Sequence, residues 1–141
     1  MTRYVHDSFS LLAYLRDEPG GVQVRQLFVN PSHQHWMSVI NLGEVFYKTA
    51  KEHGDDRAEE IVSNVTDMAI ELIEADFYLA MHAARIKARF RMSYADCFAA
   101  ALAQRIEATV VTGDPEFEAI EQAGELRIEW LTPKPKTRRA R

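Results

Sequence analysis

Short apolar runs alternate along the chain with longer segments whose apolar residues recur every three or four positions. Tyr4-Val5-His6 reads as a short strand that opens the fold. Ser8 to Arg16 follows as a helix with Phe9, Leu12 and Leu15 on one face, stopped by Pro19-Gly20-Gly21. A second helix spans Val22 to Asn30 and ends at Pro31. Trp36-Met37-Ser38-Val39 is the next strand, and Leu42, Val45, Phe46 and Thr49 form the inward stripe of a helix from about Asn41 to His53, with Gly54 as its stop. Asp55 or Asp56 opens a further helix towards Met68, and Ala69 to Ile73 alternates as a strand does. Asp76 caps a helix reaching about Phe90, and Ser93 caps an alanine-rich one from Tyr94 to Ile106. Thr109-Val110-Val111-Thr112 is a β-branched buried strand, Asp114-Pro115 starts a short helix, and Leu126 to Leu131 is the last strand.

Strands separated by helices predict an α/β fold: a central, mostly parallel sheet of about five short strands with helices on both faces. Residues 1–133 are expected to form one domain, and residues 134–141 a basic, flexible tail. No apolar run is long enough to cross a membrane, and MTRYVHDSF lacks the apolar stretch of a secretory signal. With Cys97 as the one cysteine there is neither a disulfide framework nor a thiolate metal cluster, and a reduced, cytoplasmic protein is expected.

The net charge of −4 hides an asymmetry. Lys134, Lys136, Arg138, Arg139 and Arg141 crowd the tail, so the body keeps 12 basic against 21 acidic side chains, a charge of −9. Such a body is ill suited to nonspecific duplex DNA binding. It suits a protein that gathers carboxylates around metal, or one with a basic partner.

In a parallel sheet, reactive groups collect where the strands' carboxyl ends share one edge. Asp7 ends the first strand, and Glu44 is expected in the first turn of the helix after the second. Asp96 lies in the first turn of the helix capped by Ser93, and Asp114 follows the 109–112 strand with Glu116 two residues on. Singly, each acid also fits a helix cap, a helix-dipole contact or a turn. Together they would repel at separations of about 4–6 Å unless a cation neutralised them. Oxygen ligands without a histidine or thiolate set favour Mg²⁺ or Mn²⁺ over Zn²⁺, the chemistry of phosphodiester hydrolysis by water.

Four segments in order resemble the PIN domain and, within it, the VapC toxins. They are Val5 to Leu15 with Asp17-Glu18-Pro19-Gly20, Ser38 to Val45, Ser93 to Ala103, and Thr112-Gly113-Asp114-Pro115-Glu116-Phe117. The resemblance covers roughly residues 3 to 132 and implies a PIN-like fold. It implies Asp7, Glu44, Asp96 and Asp114 as metal-site acids, Glu116 as a supplementary one, and a Thr112 hydroxyl beside the site, with Ser8 a further candidate. It further implies Mg²⁺- or Mn²⁺-dependent cleavage of RNA, a homodimer, and an antitoxin protein that blocks the site. Phe9 stands where the family often has Ser or Asn, and His6 where an aliphatic residue is common; His6 is read as a core histidine.

Arg85, Lys87, Arg89 and Arg91 are candidates for holding RNA phosphates, or else form a solvated helix face. Cys97 reads as a small core residue, and His33, His35, His53 and His82 show no ligand spacing. The alternative function is a PIN-fold module that binds RNA or protein without turnover. A phosphatase or flap-type DNA nuclease is disfavoured because no segment corresponds to a helical arch or an extra domain.

Overall fold

The computed structural model describes residues 2–131; the basic tail predicted at 134–141 lies outside them. The elements run β1 (Arg3–His6), α1 (Ser8–Leu15), α2 (Gly21–Val29), β2 (Gln34–Ser38), α3 (Val39–His53), α4 (Asp55–Thr66), β3 (Glu71–Ile73), α5 (Phe77–Arg89), α6 (Tyr94–Ile106), β4 (Thr109–Thr112), a 3₁₀ turn (Pro115–Phe117), α7 (Glu118–Gln122) and β5 (Arg127–Trp130). The strands form one sheet in the order β3-β2-β1-β4-β5. Every pairing is parallel, with Val5 opposite Trp36 on one side and Val110 on the other. No helix among the described residues is long and apolar enough to cross a membrane.

Alternation along the two central strands divides the core. Val5 and Val110 join the buried set of α5 and α6, with Leu79, Ile86, Leu102 and Phe117. Tyr4 and Val111 point to the opposite face, where Val24 of α2 and Leu131 cover them. A third cluster, Leu11, Leu12, Met37, Val45, Ile61 and Val65, joins α1, α3 and α4 to β2. Each large aliphatic or aromatic side chain buried this fully contributes about 1.5–3 kcal/mol relative to its exposed state. Helix α6 lies deepest: Asp96 through Ala103 are all buried, so its alanines allow close approach to the sheet.

Two local expectations are revised. The inward face of α1 is Leu11 and Leu12 rather than Phe9, which is 40% exposed. Helix α3 begins directly after Ser38, whose hydroxyl accepts from the Ile40 amide at 3.1 Å, so Glu44 sits in the second turn, not the first. Its stripe is carried by Val45 and Thr49, with Leu42 and Phe46 only half-buried.

Helices α1 and α2 pack backbone to backbone at Gly21. A Cβ there would stand 2.4 Å from the Ala13 carbonyl oxygen and 3.3 Å from the Tyr14 Cα. Gly21→Ala is therefore expected to destabilise the chain by about 1–3 kcal/mol in urea unfolding. Gly43→Ala, whose Cβ meets nothing within 4 Å, should stabilise α3 by about 0.5–1 kcal/mol. Equal midpoints for the two variants would contradict this packing.

Candidate active site

All the connections that carry the acids leave the sheet at the same edge. A single residue, Asp7, separates β1 from α1, and it caps that helix: its Oδ1 accepts from the Ser10 amide at 2.9 Å. Its Oδ2 accepts the Thr112 hydroxyl from the end of β4. The same Thr112 oxygen accepts the Asp114 amide at 2.9 Å, and Asp114 Oδ1 accepts the Glu116 amide at 2.9 Å. Glu116 reaches across to α6, where its Oε1 accepts the Ser93 amide at 2.9 Å. Ser93 in turn caps α6 by accepting the Asp96 amide at 3.2 Å. The chain of bonds ties the ends of β1 and β4 to the start of α6.

Within this frame Asp96, Asp114 and Glu116 each present a carboxylate oxygen, all within 4.8 Å of one another. Asp7 lies beside them, buried and close enough for its charge to bear on Asp96. Glu44 stands on the other flank. The Ser8 hydroxyl donates to its Oε1 at 2.5 Å, the Tyr47 hydroxyl donates to its Oε2 at 3.3 Å, and the Lys48 ammonium stands 3.6 Å from Oε2. The compact trio is thus Asp96, Asp114 and Glu116, with Asp7 and Glu44 as its buried neighbours.

The PIN-domain family model matches residues 4–123. The chain belongs to the PIN-domain family. No protein among those with curated functions matches the sequence. Solved structures give the same fold at low identity. The DNA-bound VapBC of Salmonella typhimurium aligns with a TM-score of 0.70 at 22% identity, covering 92% of this chain and 98% of that one. VapC20 of Mycobacterium tuberculosis, a toxin that cleaves the sarcin–ricin loop, aligns with a TM-score of 0.69 at 16% identity over 84% of this chain and 94% of its own. FitAcB of Neisseria gonorrhoeae gives 0.63 at 17% identity over 89% and 95%.

The electrostatics of this PIN site follow from burial. Removal from water drives the Asp7 carboxyl up to about 7, against the hydrogen bonds from Thr112 and the Ser10 amide, with Asp114 and Glu44 adding repulsion. Asp96 is pushed up to about 10, first by burial, then by the charges of Asp7 and Asp114 and by hydrogen bonding with Asp114 and Glu116. Carboxyls so displaced must hold protons or share a cation. Their all-oxygen donor set fits a divalent ion of the hard class. Cys97 beside them offers no thiolate, since burial lifts its thiol to about 11.

His6 faces away from the acids. Its Nε2 meets His35 Nδ1 at 2.9 Å, its ring stacks on Phe28 at 4.8 Å, and burial holds its pKa well below the usual histidine range. Phe9 lies across the backbone at Gly113, where a Cβ would come within 2.5 Å of two of its ring carbons, and so walls the site next to Asp114. Sequence reasoning assigns Lys48 and Asn41 no role and reads Tyr47 as core or dimer surface, whereas it is 48% exposed and bonds Glu44. Asn41 donates to the Ala95 carbonyl at 3.1 Å and so holds α3 against the start of α6. The signal was available: all three lie three or four positions from Glu44, on its face of the helix.

A carboxyl raised in the fold binds more protons folded than unfolded, so stability falls as pH climbs from the unfolded value to the folded one. For Asp7 that window runs from 3.8 to about 7, and for Asp96 from 3.8 to about 10. In chelator, the melting temperature contributed by these groups should decline across that range. Added Mg²⁺ or Mn²⁺ should raise the melting temperature more at pH 8 than at pH 5. An ion effect equal at both pH values would contradict the raised carboxyls.

Proposed function

We propose that this chain is a metal-dependent endoribonuclease of the VapC toxin type, hydrolysing RNA phosphodiester bonds with Mg²⁺ or Mn²⁺. The observation that carries the reading is the meeting of Asp96, Asp114 and Glu116 oxygens within 4.8 Å, beside buried Asp7, at one sheet edge of a PIN fold. Asp7, Asp96 and Asp114 would hold the ion, with Glu116 and Glu44 as the further acids of the set. The bound ion supplies Lewis acidity, lowering the pKa of a water and stabilising charge on the phosphate.

The chain's own groups do the positioning. The Thr112 hydroxyl fixes Asp7 Oδ2 and so would limit the orientations that carboxylate could offer an ion. Ser8 does the same for Glu44, and Lys48 offsets its charge until the substrate arrives. The Glu116 bond to the Ser93 amide locks the α6 start, and with it Asp96, against the 3₁₀ turn. Hydrolysis by water leaves a 5′-phosphate and a 3′-hydroxyl.

The partners follow the same reading: a cytoplasmic homodimer blocked by an antitoxin protein. The VapBC and FitAB neighbours, complexes by name, support the antitoxin. Phe77, Tyr78 and Met81, exposed together on α5, are apolar surface available to a second copy.

Asp96→Asn tests the assignment. The amide supplies the donor that a protonated Asp96 offers Asp114 and Glu116, so the fold keeps its bonds while the site loses a ligand charge. Cleavage of labelled RNA in Mn²⁺ is expected to fall more than about 100-fold, with the melting temperature unchanged or higher. Equal cleavage by both proteins would remove Asp96 from the site. Firm RNA binding with no cleavage by either would identify a binding module instead.

A further inference from the structure

The four cations ahead of α6 differ in what they touch. Arg89 is held by both carboxylate oxygens of Glu125, one at 2.8 Å. Lys87 donates to the Met92 carbonyl at 2.6 Å. Arg85 and Arg91 are exposed, and neither makes an ion pair or hydrogen bond among the described residues. Of the four, Arg91 also lines a groove of about 630 Å³ whose walls include Asp114 and Glu116 of the acidic trio and Glu118 and Gln122 of α7. Its backbone is fixed close to the site, because Glu116 binds the amide of Ser93 two residues on.

The arrangement is electrostatically incomplete. The Arg91 guanidinium shares this groove with Asp114 and Glu116, yet among the described residues it makes no ion pair with either. Asp114 and Glu116 are committed to each other's surroundings: Asp114 Oδ1 holds the Glu116 amide, and Glu116 Oε1 holds the Ser93 amide. A divalent ion held by the acids would offset part of their charge, and the donor fork in the groove that no described residue occupies belongs to Arg91. A planar five-donor cation on the rim of such a groove suits a phosphodiester, which it can grip with two parallel hydrogen bonds.

We propose that Arg91 binds a backbone phosphate of the nucleotide flanking the scissile bond, so that the groove between the acidic trio and α7 seats the adjoining stretch of a single RNA strand. The proposal rests on the ribonuclease reading. Arg91 is a binding residue and touches no reacting atom, so its loss weakens the ground state and transition state equally.

The test compares Arg91→Gln, Arg91→Lys and, as a control of equal charge change, Arg3→Gln, which lies at the opposite end of β1. Binding is read by fluorescence anisotropy of a labelled unstructured RNA oligomer in the Asp96→Asn background, with Mn²⁺ held constant throughout a salt series. Arg91→Gln should weaken binding about tenfold, the loss of one charge-assisted contact. It should also flatten the dependence of log affinity on log salt by about 0.7, the single-strand value for one phosphate. Arg91→Lys should keep most of that slope, because it keeps the charge, and Arg3→Gln should stay within about twofold of its parent. With Asp96 intact and Mn²⁺ present, Arg91→Gln should raise KM about tenfold and leave kcat within about twofold. Should the glutamine variant fail to fold, the lysine variant reads the same contrast through its lost fork, as weaker binding at unchanged slope. An affinity and salt slope for Arg91→Gln matching Arg3→Gln, while the unsubstituted chain cleaves RNA, overturns Arg91 alone. An unsubstituted chain that neither binds nor cleaves RNA overturns both Arg91 and the ribonuclease reading.

Discussion

Carboxylates repel one another, and burial makes the repulsion worse, because a medium of low polarisability screens it poorly. The fold nevertheless brings Asp7, Asp96, Asp114 and Glu116 to one edge and removes Asp7 and Asp96 from water. Everything around the site works against that repulsion. Thr112 and the Ser10 amide hold Asp7, the Glu116 amide holds Asp114, the Ser93 amide holds Glu116, and α6 is locked by its alanine-lined contact with the sheet. Burial first, and the neighbouring negative charges after it, lift the Asp7 and Asp96 carboxyls to about 7 and about 10. A site of this kind favours whatever neutralises it, whether protons or a divalent cation.

The connections at this edge are short. One residue joins β1 to α1, none separates β2 from α3, and Gly113-Asp114 leads from β4 into the 3₁₀ turn. Asp7, Asp114 and Glu116 each accept a backbone amide, while Asp96 lies in the first turn of α6 and Glu44 in the second turn of α3. Asp7 has one oxygen on the Ser10 amide and the other on the Thr112 hydroxyl, and Asp114 holds the Glu116 amide, so residues proposed as ligands are also local caps. That duality is what a reader of the bare sequence meets as ambiguity: the residue types that start helices are those that bind hard cations.

Periodicity and caps made the element order legible, and Thr109–Thr112 was plain from its β-branched run. The strand order was not legible, because pairing depends on which faces the helices cover. The face of α1 was misread at Phe9 because an apolar side chain can wall a site rather than fill a core: its ring covers Gly113, a contact that only the folded chain makes. Glu44 was displaced by one turn because Ser38, read as strand, also caps α3. The site acids were legible as a set only through motif order. Their distances, the hold of Ser8, Tyr47 and Lys48 on Glu44, and the hold of Asn41 on α6 depend on elements far apart in sequence.

The central claim is that crowded, proton-holding carboxyls form a cation site, and proton release reports on it directly. Calorimetric titration of the chain with Mn²⁺ at pH 7, repeated in buffers of different ionisation enthalpy, counts the protons displaced by the ion. Asp96, lifted to about 10, is protonated at that pH without metal, and Asp7, at about 7, is half so. The account predicts saturable binding at millimolar metal or below, with on the order of one proton or more released per chain. Binding with heats identical in every buffer, or no binding at all, would contradict it.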